Sequence, residues 1–420
     1  MVDGRCVFSR RAVRGKKIHF VSPCREPAMA VSTFNILMYS HDTYGLGHIR
    51  RTLAIAASLV AEDVNIIILT GSPIAGRFKF PLGIDFVRVP GMIKQSNTVY
   101  IPHAIKVNAE QVMAIRSDII TATAKAFDPG LFIVDKVPTG LRGEIMPTLE
   151  WFQKERPKAK VVLGLRDILD DAESTREEWA ERDYVEVMDK FFSEIWVYGD
   201  KQLYNPISEY AMPDKLSSKT IFTGYLRRRT FNPSKNGKNQ NKCKSILVTT
   251  GGGGDGYKML DAYLSMLEAF PDFPHKSHIV SGPFIPRDQL KQLVKRAKAL
   301  KVNFATFNKR LEQKMAGSDL VISMGGYNTL CEILSQGKVS LIIPRVKPRR
   351  EQLIRAQVFK DRGVIDYLES RDMSPPVLRA KIDALLDNPG PIQAAIRDFP
   401  MTGLEAIKSR LAEYKAGVLS

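Results

Sequence analysis

Residues 323–352 read SMGGYNTLCEILSQGKVSLIIPRVKPRREQ, and their types and order suit an anion and a diol. An apolar strand, DLVIS, runs into the glycine turn Gly325–Gly326, and a helix opens near Asn328 and Thr329. Backbone N–H groups at a helix start attract phosphate, and Asn328 and Thr329 add polar groups there. Glu332 lies one turn in, where a carboxylate can accept hydrogen bonds from a ribose diol. The helix ends at Gly337, and a second strand, VSLIIP, closes at Pro344. Arg345, Lys347, Arg349 and Arg350 follow and could neutralise a departing diphosphate. Glu351 and Gln352 could grip sugar hydroxyls.

Two further loops carry the same grammar of strand, glycine and helix. The first is ILMYSHDTYGLGHIRR, where Gly45 and Gly47 permit a tight turn and His48 stands at the helix start. A helix N-terminus disfavours an imidazolium, so His48 stays neutral and able to take a proton, as a general base must. A capping or packing role is the other reading. His41 and Asp42, earlier in the loop, are weaker candidates for the same work. The second loop is ILVTTGGGGDGYK, where Gly251, Gly252, Gly253 and Gly254 leave the backbone uncovered to a diphosphate. It is neither a Walker loop nor a dinucleotide fingerprint. A fourth candidate, GLRDILDDAES, puts Arg166, Asp167, Asp170 and Asp171 at a strand end. Asp167 or Asp170 is an alternative base; an acidic helix cap is the competing reading. Lys136 and Glu144, beyond the strand ending at Asp135, are cleft candidates.

The segment GGYNTLCEILSQGKVSLIIPRVKPRREQ resembles the donor-binding signature of GT-B glycosyltransferases. Tyr327, Asn328, Thr329, Glu332, Gly337, Pro344, Glu351 and Gln352 fall into that pattern. The GLGH loop is similar to the first glycine loop of the N-acetylglucosaminyltransferases that make the lipid-linked peptidoglycan precursor, and TTGGGG stands where those enzymes carry their second. The resemblance spans roughly residues 34–365 and is close only in these motifs. It implies metal-independent, inverting transfer from a nucleotide sugar, usually a UDP-sugar. Glu332 would hold the ribose, the 251–254 loop and Thr329 the diphosphate, Glu351 and Gln352 the sugar, and His48 would serve acceptor or leaving group. Met324 stands near where plant-type members place a phosphate-contacting histidine, and the arginines after Pro344 are the available replacement. Nucleotide-sugar hydrolases and 2-epimerases share the scaffold and are the alternative reading.

These loops need rigid supports. Apolar strands alternate with helical patterns, which argues for parallel sheets covered by helices. The expected fold is α/β, with two Rossmann-like parallel-sheet domains facing across a cleft. Strands are expected at Phe34–Ser40, Val64–Thr70, Ile84–Val89, Leu131–Asp135, Lys160–Leu165 and Ile195–Tyr198. Helices are expected over Ile49–Ala61, Ala104–Ala126 and Ser174–Phe192. The division is a basic tail over 1–30, an acceptor-side domain over 31–226, a polar linker over 227–244, and a donor-binding domain over 245–400. A helix over 401–420 is placed to return to the first lobe.

The chain has 420 residues, enough for two domains. Its net charge of +17 favours polyanionic partners without choosing among them. No RNA-binding aromatic motif, zinc finger or basic heptad region accompanies it, so no nucleic acid is expected. The expected partners are a nucleotide-sugar donor and a polysaccharide or lipid-linked acceptor, with peripheral docking on an anionic membrane. Cys6, Cys24, Cys243 and Cys331 show no metal or disulfide spacing. A cytoplasmic protein without cofactor or metal is the expectation, peripheral at the inner membrane face if it docks. The first 28 residues are basic and lack an apolar core, unlike a secretory signal. They read as a tail, or as sequence upstream of a start at Met29.

Overall fold

The computed structural model describes residues 33–41, 47–94, 100–232, 243–252 and 254–419. Gly45, Gly253, Asp42, the basic tail and residues 233–242 of the linker lie outside the described residues.

The first lobe contains β1 (Phe34–Ser40), β2 (Val64–Thr70), β3 (Ile84–Arg88), β4 (Met92–Lys94), β5 (Tyr100–Pro102), β6 (Leu131–Asp135), β7 (Lys160–Arg166), β8 (Glu194–Tyr198) and β9 (Thr220–Phe222). Seven of these form one sheet in the order β3-β2-β1-β6-β7-β8-β9, all parallel; β4 and β5 form a separate antiparallel hairpin. The second lobe contains β10 (Ser245–Thr249), β11 (Lys276–Val280), β12 (Asn303–Ala305), β13 (Leu320–Ser323), β14 (Val339–Ile342) and β15 (Asp366–Tyr367). They make a six-stranded parallel sheet in the order β12-β11-β10-β13-β14-β15. Helices cover both sheets, so central strands such as LFIVD and LVIS are buried on both faces, as continuous apolar runs require.

Both sheets reverse direction of growth once, between β1 and β6 and between β10 and β13. Crevices at such switch points, outside the strands' carboxyl ends, are where open α/β sheets bind ligands. Of the glycine loops found in the sequence, the described Gly47 and Gly251 follow β1 and β10 at these two places. Register puts Thr249 opposite Ser323, so the 250–254 loop and the Met324–Gly326 turn leave the sheet side by side.

The lobes touch over a continuous core: Tyr225 stacks near Tyr327 with ring centroids 6.1 Å apart and meets Phe359 and Phe399. The chain crosses between lobes after β9 and crosses back near Phe399–Gly403, where Gly403 N–H donates to the Tyr225 carbonyl (3.0 Å). The returning helix Gly403–Leu419 buries Ile407, Leu411 and Tyr414, whose spacing makes one face. That face packs on the helix Gly47–Leu59 and on Trp196, whose ring lies parallel to Tyr414. Arg410 pairs with Glu194 and Lys415 with Asp63 at its rim. No helix among the described residues is long and apolar enough to cross a membrane.

Candidate functional site

The helix Gly47–Leu59 starts at Gly47, so His48 lies in its first turn at the rim of the interlobe cleft. His48 Nδ1 is 2.5 Å from Asp135 Oδ2, at the end of the neighbouring strand β6. Arg51, one turn along the same helix, places Nε and Nη2 at 3.1 and 2.5 Å from Asp135 Oδ1. The arginine holds the carboxylate ionised, well below its ordinary range despite burial. The carboxylate in turn accepts from Nδ1–H and leaves Nε2 with a free lone pair. Burial is the largest influence on His48, and it lowers the imidazole pKa to about 4 against the pull of Asp135. A neutral, oriented histidine is therefore present at neutral pH. His41 stands behind it, ring centroids 5.6 Å apart, buried and also held neutral.

Asp135 is the member of this pair that sequence reasoning missed. A charged residue closing the apolar run LFIVD was the available signal. Arg228 falls in the stretch expected to be a polar linker over 227–244, with a place near the cleft as one reading of its arginines. It donates from Nη2 to Asn328 Oδ1 (2.5 Å) and from Nη1 to the Arg50 carbonyl (3.2 Å), while Asn328 Nδ2 donates to the Gly47 carbonyl (2.7 Å). Asn328 thus ties the start of the helix Tyr327–Ser335 to the start of the His48 helix.

Opposite His48, the 250–254 loop and the helix Tyr327–Ser335 face each other. Gly251 has φ +70°, and a Cβ there would lie 3.5 Å from Thr329 Oγ1. Gly251, Gly252, Gly254, Gly326, Thr329, Gln352 and Arg345 line a cleft of about 540 Å³ together with Gly47, His48 and Arg166. Met324 also lines it. Gly325, at φ +77°, packs against Ile342 and sets the turn. Arg345 pairs with Asp255 (2.7 Å) and Glu351 (2.5 Å), while the Gln352 side chain accepts from its backbone N–H (3.2 Å).

A second cavity, about 550 Å³, adjoins the first through shared Gly251 and Arg50. Glu332 lines it with Phe307, Thr306, Leu311 and the arginines 227–229. Arg50 reaches over from the first lobe to Glu332 (2.7 Å) and Glu312 (3.2 Å). Burial raises the Glu332 pKa, and its Oε2 has no hydrogen-bond partner.

Four sequence candidates sit elsewhere than expected. Asp167 is fully buried and receives Arg355 Nε and Nη2 at 3.0 and 2.7 Å and Tyr225 Oη at 3.3 Å. A carboxylate locked in a salt bridge between lobes has no access to an acceptor. Asp170 is also buried, and accepts the Arg350 and Asp171 backbone N–H groups at 2.7 and 3.0 Å. Asp170 caps the start of the helix Glu351–Asp361, so the acidic-cap reading describes it better than the base reading, whereas Asp167 is an interlobe salt bridge and neither base nor cap. Arg349 does not lie along the diphosphate loop; it pairs with Glu178 of the first lobe at 3.0 Å. Glu144 is no cleft residue: it is buried between Arg116 (2.5 Å) and Tyr39 (2.6 Å). Among the described residues no group of three or more His, Cys, Asp or Glu side chains could hold a metal ion.

Residues 247–409 match the model of the glycosyltransferase family 28 C-terminal domain. The UDP-N-acetylglucosamine–N-acetylmuramyl-(pentapeptide) pyrophosphoryl-undecaprenol N-acetylglucosamine transferase of Bacillus cytotoxicus is 27% identical over 153 residues, 36% of this chain and 41% of that protein. Its namesake in Clostridium botulinum is 34% identical over 89 residues, 21% of this chain and 25% of that protein. The chain thus spans less than half the length of these curated relatives. Three solved structures superpose over nearly the whole chain. The UDP-glucosyltransferase from Polygonum tinctorium that glucosylates indoxyl has a TM-score of 0.64 at 11% identity, covering 92% of this chain and 100% of that one. The calicheamicin glycosyltransferase CalG4 has 0.60 at 15%, covering 93% and 100%. MurG of Acinetobacter baumannii has 0.58 at 13%, covering 91% and 99%. The chain has the GT-B fold, and its second lobe carries a family 28 C-terminal domain.

Proposed function

We propose that the protein transfers a sugar from a nucleotide-sugar donor, a UDP-sugar by preference, to an acceptor hydroxyl with inversion at the anomeric carbon. One observation carries this reading: a neutral His48 paired with the ionised Asp135 and a glycine loop beside a helix start face each other across one cleft, and that cleft opens through Gly251 into a cavity lined by Glu332. Glu332 accepts from the ribose diol in exchange for Arg50. The backbone N–H groups around Gly251 and at the start of the helix Tyr327–Ser335 receive the diphosphate, with Thr329 and Arg345 beside them. Glu351 and Gln352 hold the sugar. Nε2 of His48 takes the acceptor proton as the acceptor oxygen bonds to the anomeric carbon. The bond from that carbon to the diphosphate oxygen breaks, and its electron pair leaves on the nucleoside diphosphate. Asp135 stabilises the imidazolium formed in that step. The matched family domain and the peptidoglycan-precursor relatives support a UDP-sugar donor.

Binding and turnover test the reading together. UDP is expected to raise the melting temperature more than GDP or dTDP, and Glu332→Ala to abolish that rise. A UDP-sugar incubated without acceptor should persist. Rapid release of UDP, or recovery of an epimerised sugar, would instead establish the hydrolase or 2-epimerase on this scaffold.

A further inference from the structure

Lys136 and Arg166 leave adjacent strands at the edge that carries the His48–Asp135 pair. Lys136 directly follows β6 with φ +71°, its N–H donating to the Gly164 carbonyl of β7 (2.8 Å), and Arg166 is the last residue of β7. Arg166 lines the cleft beside His48, and its buried Nε has no hydrogen-bond partner. Neither side chain has an ion-pair partner among the described residues.

The surrounding carboxylates are engaged. Asp135 is held by Arg51 and His48, Asp167 by Arg355, Glu351 by Arg345, and Glu178 by Arg349. Arg349 closes the group from the opposite lobe, and it and Arg166 repel Lys136. Burial is the larger influence on Lys136, and the two effects draw its pKa down to about 7. Burial does the same to Arg166, to about 10. Half-buried cations without partners are costly, so a fold that keeps two of them beside its catalytic base is poised for an anion. Glycine loop and donor helix belong to the second lobe, whereas Lys136 and Arg166 stand on the acceptor's side.

We propose that Lys136 and Arg166, with Arg349 facing them, form a subsite for an anionic group, carboxylate or phosphate, borne by the acceptor next to the hydroxyl that His48 deprotonates. The assignment to the acceptor rests on the function proposed above. A bound anion also favours the charged lysine, so binding takes up a proton near pH 7.5.

The experiment is titration calorimetry of the full chain, saturated with UDP, in buffers of differing ionisation enthalpy. The probes are inorganic phosphate, methyl β-glucuronide and methyl β-glucoside. Phosphate or the glucuronide is expected to bind with proton uptake, and the glucoside not at all; which anion binds tighter decides between phosphate and carboxylate. Lys136→Met should weaken binding about tenfold or more and remove the proton uptake, with UDP affinity within about twofold of wild type. Arg166→Gln should weaken the anion likewise. Anion affinity and proton uptake unchanged in both variants, or no anion bound to the UDP-saturated protein, would overturn the proposal. Failure of UDP itself to bind would strike the transferase reading instead. In that case, loss of phosphate binding in both variants would still establish the anion site.

Discussion

The neutral, oriented state of His48 comes from three features of its surroundings rather than from its own ring. The helix start turns it into the cleft, Asp135 fixes its tautomer, and burial keeps it unprotonated. His48→Ala is expected to lower kcat by about 10²–10⁴-fold, with UDP affinity unchanged by calorimetry. In the wild type the acidic limb of kcat/KM should fall near pH 4, well below the usual 6.5 of histidine. A limb near 6.5 would assign the base elsewhere. Gly282 shows a different residue-scale constraint. It has φ +76°, and a Cβ would lie 2.5 Å from the Gly251 carbonyl oxygen and 2.6 Å from that of Gly252. Gly282→Ala should therefore displace the diphosphate loop and weaken UDP binding, while His48 keeps its partner. Lys136 carries a stability signature. Its pKa is lower in the folded chain than the ordinary 10.5, so between about pH 7 and 10.5 the unfolded chain holds more protons. Stability from this group rises with pH across that window. Lys136→Met should be more stable than wild type at pH 7, and urea titrations should show the gap closing towards pH 10.

Strands were legible because burial on both faces demands unbroken apolar runs, and β1, β2, β6 and β13 follow the runs read from the sequence. The glycine turn and helix start in residues 323–352 were legible for a related reason: Gly326, Asn328, Thr329 and Glu332 are local, within two turns of one helix. What failed to show was anything made between elements. The helical pattern Ser174–Phe192 breaks into Ala172–Glu181 and Tyr184–Phe191 because Asp183 takes a left-handed conformation (φ 52°) that no glycine announced. Asp167 looked like a free acid because its partner Arg355 lies 188 residues away. Asp135 likewise meets His48 only through the pairing of β1 with β6. Arg355→Met tests the assignment of Asp167 to lobe packing. It leaves a buried carboxylate unpaired, so a loss of about 3–5 kcal/mol is expected in denaturant unfolding. The acidic limb of kcat/KM should stay where His48 sets it.

Across the whole molecule, the two lobes share one core and are tied at paired crossings, Gly403 against Tyr225. The helix Gly403–Leu419 belongs to the first lobe in space and to the second in sequence. Ile407→Ala, at a fully buried position on that helix, should cost about 2–5 kcal/mol. Trp196 fluorescence should report the loss, because Tyr414 of the same helix lies parallel to that indole. This arrangement also sets a schedule for a chain made from its N-terminus. Strands β1 to β9 leave the ribosome with the face around Trp196 and the helix Gly47–Leu59 uncovered, and its covering helix emerges only after the whole second lobe. At ~5–20 residues per second, that apolar face waits roughly ten to forty seconds for its own C-terminal segment. Nascent chains arrested before residue 403 should therefore be held by chaperones, and release should coincide with emergence of the helix Gly403–Leu419.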